Sequence, residues 1–319
     1  MSGVSSGVGV YIGDGLRQYG FGDGHPFGTD RLDAFWNEAI KTDLAKEVQV
    51  LDPVSCLDND LSRFHDEDYI QFLKEKSRDG SGYLDGGDTP AVPGVYEAAS
   101  FVVGSDLDAL DRIYRGELSR IFIPIAGLHH AGRQRAAGFC AVSDLGVLIE
   151  TVRERYGVKR VAYVDIDAHH GDGVFYAFES DPDVIIADIH EDGRFLYPGT
   201  GFVQETGRGD ARGTKMNFPV MPESGDAVFF AIWPRLEEFL RSFEPEFIIL
   251  QAGADSIDGD PITHMRFSPK AHGHAATQLC KMAEEFCNGK FIATGGGGYN
   301  RRNIALGWCE VLKAMIETA

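Results

Sequence analysis

The stretch Val161-Ala162-Tyr163-Val164-Asp165-Ile166-Asp167-Ala168-His169-His170-Gly171-Asp172-Gly173 decides how the rest of the chain is read. Its first four residues form an apolar run with β-branched content, the pattern of a buried strand. Three carboxylates and two imidazoles follow within eight residues. Side chains alternate along a strand, so a strand over 161–167 places Asp165, Asp167 and His169 on one side. Polar groups crowded against a buried strand need a partner. Carboxylate with imidazole is a donor set for zinc or another divalent first-row ion. Gly171 and Gly173 then allow a tight turn.

Working outward, apolar strands alternate with amphipathic segments. Strands are read at 8–12, 48–51, 121–125, 184–189, 216–220, 247–250 and 291–294, besides the one at 161–167. Helices are read at 32–45, 66–76, 94–115, 144–156, 226–243 and 270–287, with a last one running to the C-terminus. Long loops fill 77–93 and 193–212, and loops of that length are usually functional or mobile. This alternation predicts an α/β fold with about eight strands in a parallel sheet and helices on both faces. No shift in composition divides the chain, so 1–319 is read as a single domain. In such sheets, sites form beyond the carboxyl ends of the strands. That rule brings His129 and His130, Asp167 and His169, Asp255, and Tyr299 together.

Asp167, His169 and Asp255 make three protein ligands, and three ligands with an open position is the catalytic pattern. An ion so held lowers the pKa of a water and polarises a carbonyl. His129 and His130, adjacent in a Gly-flanked turn, suit acid/base work. Asp165 and Asp172 are available to orient their second nitrogens. Tyr299, after four glycines, can stabilise an oxyanion. Gly13-Asp14-Gly15 lacks the third glycine of a dinucleotide fingerprint, because position 18 is Gln.

The chain has 319 residues and is 43% hydrophobic, enough for a large core. A formal net charge of −19 argues against nucleic acid as a partner. It favours cationic over anionic substrates, or serves solubility. The five cysteines are scattered with no CxxC pair, which suggests reduced thiols and a cytoplasmic protein. The N-terminus lacks a basic region followed by an apolar one, so no signal peptide is expected. No apolar run reaches membrane-spanning length, and no membrane partner is expected.

These motifs resemble those of the zinc-dependent histone deacetylase family. Residues 163–173 look like its metal motif. Gly127-Leu128-His129-His130-Ala131 with Ala137-Gly138-Phe139-Cys140 resembles its tandem-histidine segment. Tyr197-Pro198-Gly199-Thr200-Gly201, Gln251-Ala252-Gly253-Ala254-Asp255 and Gly295-Gly296-Gly297-Gly298-Tyr299-Asn300 match further blocks in order. The likeness runs from about His25 to about Trp308 and is strongest to the bacterial acetoin-utilisation, class I-like deacetylases.

The resemblance implies the arginase/deacetylase fold and hydrolysis of acylated lysine or a related amide. It maps zinc, with ferrous iron as the alternative, onto Asp167, His169 and Asp255. It makes His130 the general base and acid, His129 its electrostatic partner, Asp172 and Asp165 their orienting carboxylates, and Tyr299 the carbonyl ligand. Phe139 and Tyr197 would wall a tunnel, and the Gly138 carbonyl would accept the substrate amide N–H. Asp88 would grip substrate backbone at the rim, and Arg31 would lie at the tunnel floor. A structural potassium ion near Asp165, Asp167, His169 and Asp188 is also implied.

The chain departs from the pattern at Tyr197, where many relatives have Phe, and at Asp188, where class I enzymes have a small hydroxyl residue. It also stops soon after the Tyr299 motif, which reads as the lack of a C-terminal regulatory extension. The substrate is then an acyl-lysine protein or peptide, or a small acylated amine such as an acetylpolyamine; a non-catalytic acyl-lysine reader is a further alternative. An arginase-like two-metal site would need Asp-x-Asp spacing, which 255–258 does not supply. The oligomeric state is left open.

Overall fold

The computed structural model describes residues 7–22 and 24–319. The N-terminal segment read for a leader, residues 1–6, lies outside the described residues. The strands are β1 (Val8–Tyr11), β2 (Gln49–Leu51), β3 (Arg120–Ile123), β4 (Val161–Asp165), β5 (Val184–Glu191), β6 (Lys215–Val220), β7 (Phe247–Gln251) and β8 (Phe291–Thr294). The α-helices are α1 (Asp14–Arg17), α2 (Arg31–Lys41), α3 (Asp58–Leu61), α4 (Glu67–Asp79), α5 (Val95–Tyr114), α6 (Asp144–Tyr156), α7 (Asp172–Ala177), α8 (Asp226–Arg241), α9 (Pro269–Phe286) and α10 (Arg301–Glu317).

All eight strands join one parallel sheet in the order β2-β1-β3-β8-β7-β4-β5-β6. Every residue of β1, β3, β4, β5, β7 and β8 is buried, which is why these strands read as continuous apolar runs. Helix α10 packs on both α2 and α9, and α5 packs on α6. Parallel strands need crossovers, and the crossover helices cover the sheet.

Three short helices, α1, α3 and α7, were not expected from the sequence. Four to six residues are too few to display a 3.6-residue period. Two boundaries need correction. The helix expected over 32–45 ends at Lys41. The strand expected over 161–167 stops at Asp165, so Asp167 and His169 lie in the loop after it. They still face the same side as Asp165, because the backbone folds back on its own carboxylates. The Asp167 N–H donates to Asp165 Oδ1 (3.0 Å) and the His169 N–H to Asp167 Oδ1 (3.0 Å). The five cysteines are buried and none is paired. No described helix is long and apolar enough to cross a membrane.

Candidate metal centre and tandem histidines

The C-terminal ends of β3, β4, β7 and β8 open at the same end of the sheet, and their loops carry the polar clusters. Asp167, His169 and Asp255 are buried and converge, with one donor atom from each lying within 4.8 Å of the others. His169 Nδ1 sits 3.1 Å from Asp167 Oδ1 and 3.1 Å from Asp255 Oδ2. Ligands about 2.0–2.1 Å from a tetrahedral ion lie roughly 3.3 Å apart, so this spacing suits a first-row divalent ion.

Electrostatics agree. Burial and the adjacent Asp167 carboxylate push Asp255 up to about 7. Burial opposes charge on His169, yet its contacts with Asp167 and Asp255 outweigh that and raise it to about 10. Two buried carboxylates that make the imidazole between them so basic form a site that demands positive charge. Gly297 shows how tightly the backbone closes in. Its N–H donates to Asp167 Oδ2 (2.8 Å), and a Cβ there would overlap Asp255 Oδ2.

Beside this trio stand two imidazole–carboxylate pairs. His129 Nδ1 lies 2.8 Å from Asp165 Oδ2, and His130 Nδ1 lies 2.7 Å from Asp172 Oδ1. The two Nε2 atoms face each other at 3.1 Å, so one must carry the proton between them. Burial resists charge on His129, but Asp165 and Asp167 prevail and raise it to about 10. Burial and the neighbouring His129 lower His130 to about 4. The pair is thus a protonated His129 beside a neutral His130. Asp172 begins α7, and its other oxygen is 3.3 Å from the Arg135 guanidinium.

Tyr299 packs edge-on against Phe27 and Phe139, with centroids at 6.4 and 5.8 Å. Asp260 fixes its backbone by accepting the Tyr299 N–H (2.8 Å). Burial, then Asp255 and Asp167, push the phenol pKa well up, so Tyr299 keeps its proton and stays a donor. The Tyr197 ring stands edge-on to His130 (5.1 Å). Gly138 takes φ +53°, and a Cβ there would overlap the His130 ring. Phe139 takes φ +67°, held by Tyr19, whose hydroxyl donates to the Phe139 carbonyl (2.9 Å). Arg31 is fully buried under Phe27, and its Nε donates to the Gly298 carbonyl (2.9 Å). Asp88 sits in a turn built on Asp85, whose Oδ1 accepts the N–H groups of Gly87, Asp88 and Thr89. Thr89 Oγ1 in turn accepts the Phe139 N–H (3.0 Å), which ties the Asp88 turn to the Phe139 segment.

Asp188 pairs in register with Asp165. Its Oδ1 lies 2.6 Å from His190 Nδ1, and its Oδ2 accepts the Gly171 N–H (3.0 Å). This carboxylate is therefore already engaged by an imidazole and a backbone N–H.

Sequence reading missed several supports. Gln251 Nε2 donates to Asp167 Oδ2 (2.9 Å) while its Oε1 accepts the Gly253 N–H (2.8 Å). Asp144 accepts the N–H groups of Gly127 and Leu128 (2.6 and 2.7 Å), pinning the backbone just before the histidines. A buried amide closing a strand was the available signal for Gln251. Asp144 reads as an ordinary residue of a helix's first turn.

A model of the histone deacetylase domain matches residues 25–315. The chain belongs to the histone deacetylase family. The acetoin utilization protein AcuC of Bacillus subtilis is 36% identical over 92% of this chain and 78% of its own length. The histone deacetylase clr6 of Schizosaccharomyces pombe is 30% identical over 94% of this chain and 75% of its own. Among solved structures, the HDA15 HD domain superposes with a TM-score of 0.88 at 26% identity, covering 98% of this chain and 90% of that one. Its fold is therefore the arginase/deacetylase fold, and family membership supports hydrolase activity of the deacetylase kind.

Proposed function

We propose that this histone deacetylase family member is a zinc-dependent deacylase that removes acetyl-like groups from lysine side chains of peptides or proteins. The observation that carries the reading is the convergence of Asp167, His169 and Asp255 beside the His129–His130 pair. When bound there, the ion supplies Lewis acidity toward a water and the substrate carbonyl. His130 accepts a proton at Nε2 from the attacking water and passes it to the departing lysine amine. Asp172 holds its ring through Nδ1. His129, protonated and fixed by Asp165, stabilises the negative charge that develops nearby. Tyr299 donates its hydroxyl to the carbonyl oxygen. The Gly138 carbonyl accepts the scissile amide N–H, while Phe139 and Tyr197 flank the lysine stem and exclude water. Asp88 accepts backbone N–H groups at the rim.

Purified enzyme assayed on acyl-lysine peptides and acetylated polyamines, with metal analysis, tests this. Turnover of peptides with about one zinc per chain is expected. A protein that binds acyl-lysine without turnover overturns the catalytic reading, and bound iron overturns the choice of zinc. Acetylpolyamines are the second reading, favoured by the acidic rim. A preference for them that fades with salt would establish it. Potassium near Asp165 and Asp188 belongs to the same proposal. Because His190 already pairs with Asp188, it is tested separately, by activity in potassium against sodium buffers.

Tyr299→Phe is expected to lower kcat by on the order of 10²-fold, the scale for one oxyanion donor, and to leave the fold intact. A raised KM at unchanged kcat would reduce Tyr299 to packing.

Asp88 has its own pH signature. Burial and the neighbouring Asp85 push its carboxyl up to about 6. Below that pH it is neutral and a poorer acceptor; above it, the charge strengthens each bond to a substrate N–H. Peptide KM should therefore fall roughly fivefold as pH rises from about 5 to 8. Asp88→Asn should flatten that trend. A wild-type KM that does not change over this range would remove Asp88 from substrate binding.

A further inference from the structure

A cavity of about 910 Å³ is lined in part by Asp88 and Tyr197, which the proposed function places at the rim and wall of the substrate tunnel. Its volume falls at the upper end of the range for ligand pockets, roughly 300–1,000 Å³. Its apolar lining comes from Tyr69, Phe72, Leu84 and Ala137. The same lining carries four carboxylates, Asp66, Asp68, Asp85 and Asp88, and the single guanidinium of Arg135.

These carboxylates are not equivalent. Asp85 spends its oxygens on the turn it caps, and Asp66 accepts from Gln134 Nε2. Asp68, in the first turn of α4, has an exposed carboxylate with no hydrogen bond or ion pair among the described residues. Asp88 accepts from Thr89 Oγ1 (3.3 Å) and faces the Asp85 carboxyl, so Asp68 is the acid left to a ligand. Arg135 is committed in part to Asp172 (3.3 Å).

Acylation removes the charge of the lysine in the tunnel, so the tunnel cannot read charge on the substrate. Whatever the chain reads electrostatically it reads at the rim. Consecutive Cα atoms lie about 3.8 Å apart, so a residue flanking the acyl-lysine falls within reach of this cavity. A lining that combines apolar side chains with a free carboxylate is complementary to a side chain with an aliphatic stem and a cationic head. Phe72 and Tyr69 line it with aromatic rings, and a guanidinium is attracted to the face of such a ring.

We propose that this cavity is a specificity subsite that takes an arginine or lysine side chain within two residues of the acyl-lysine, with Asp68 as its anchor. The inference rests on the peptide reading of the tunnel. It deepens that reading by stating which peptides are favoured.

The test uses the full-length, zinc-loaded enzyme and acetyl-lysine peptides carrying arginine, citrulline, alanine or glutamate at each flanking position. Citrulline keeps the shape of arginine and loses its charge. Both kcat/KM and Kd, by fluorescence anisotropy, are measured for wild type, Asp68→Asn and Phe72→Ala. At one or more positions the arginine peptide should exceed the citrulline peptide roughly five- to tenfold at low salt, and glutamate should rank last. In Asp68→Asn the arginine-to-citrulline ratio should fall towards one. In Phe72→Ala both peptides should weaken together. Equal values for arginine and citrulline at every position, or a ratio unchanged in Asp68→Asn, overturn the subsite. A preference for acetylpolyamines lost in Asp68→Asn would assign the cavity to a small amine instead, and that too overturns it. Failure of the deacylase reading looks different: no peptide is turned over, while Kd still reports on the cavity.

Discussion

Asp255→Ala is expected to leave the protein folded, without bound metal and without activity. Asp255 provides one of only three side-chain donors at the proposed metal site. Loss of outer-shell partners alone costs about 10–100-fold in metal affinity, so loss of a ligand should cost on the order of 10²-fold or more. The side chain also accepts the Ala168 N–H at Oδ1 (2.9 Å). Leaving that donor unsatisfied costs about 1–3 kcal/mol, so Asp255→Asn, which keeps an acceptor, is the companion variant. Three readouts check the assignment: metal content, activity, and melting temperature with and without a chelator. An ion that binds only the native state stabilises it by mass action. Chelation should therefore lower the melting temperature of the wild type and leave that of Asp255→Ala where it was. Full activity in a metal-free Asp255→Ala protein would dismantle the site.

The second large effect concerns the histidines. His130→Ala should lower kcat by roughly 10²–10⁴-fold, the contribution of a general acid–base group. His129→Ala should cost less, since His129 stabilises charge and does not shuttle the proton. The asymmetry follows from their surroundings. Asp165 and Asp167 keep His129 protonated, while burial and His129 keep His130 neutral and ready to accept. The double variant should be little worse than His130→Ala alone, because the two act as a unit. Equal and mild losses in the single variants would contradict this division.

Most of the scaffold was legible because its strands are apolar on both faces and its helices are long enough to show their period. The site was legible for a narrower reason. Asp167, His169, Asp255, His129 and His130 are residue types whose chemistry is conspicuous at the end of an apolar run. The alternation argument for Asp167 and His169 reached the right face through a strand that ends too early; the side chains of Asp165 and Asp167 capping the following amides maintain the alternation. Gln251, Asp144 and Thr89 were passed over because their roles exist only through contacts distant in sequence. Gln251 meets Asp167, Asp144 meets Gly127, and Thr89 meets Phe139. Nothing local marks a Thr in a loop as the link between two segments fifty residues apart.

The strand order has a consequence for how the protein is made. β2, β1 and β3 form one block and β4, β5 and β6 another, and no ladder joins them directly. β7 and β8, the last two strands to leave a ribosome, insert between the blocks, with β8 on β3 and β7 on β4. Until residue 247 emerges, β3 and β4 lack the strands that pair with their inner edges in the finished sheet. Such edges are templates for wrong pairing. The same closing strands deliver Asp255 and Tyr299 to Asp167, His169, His129 and His130. The step that seals the sheet is thus also the step that assembles the site, and a partly synthesised chain has neither.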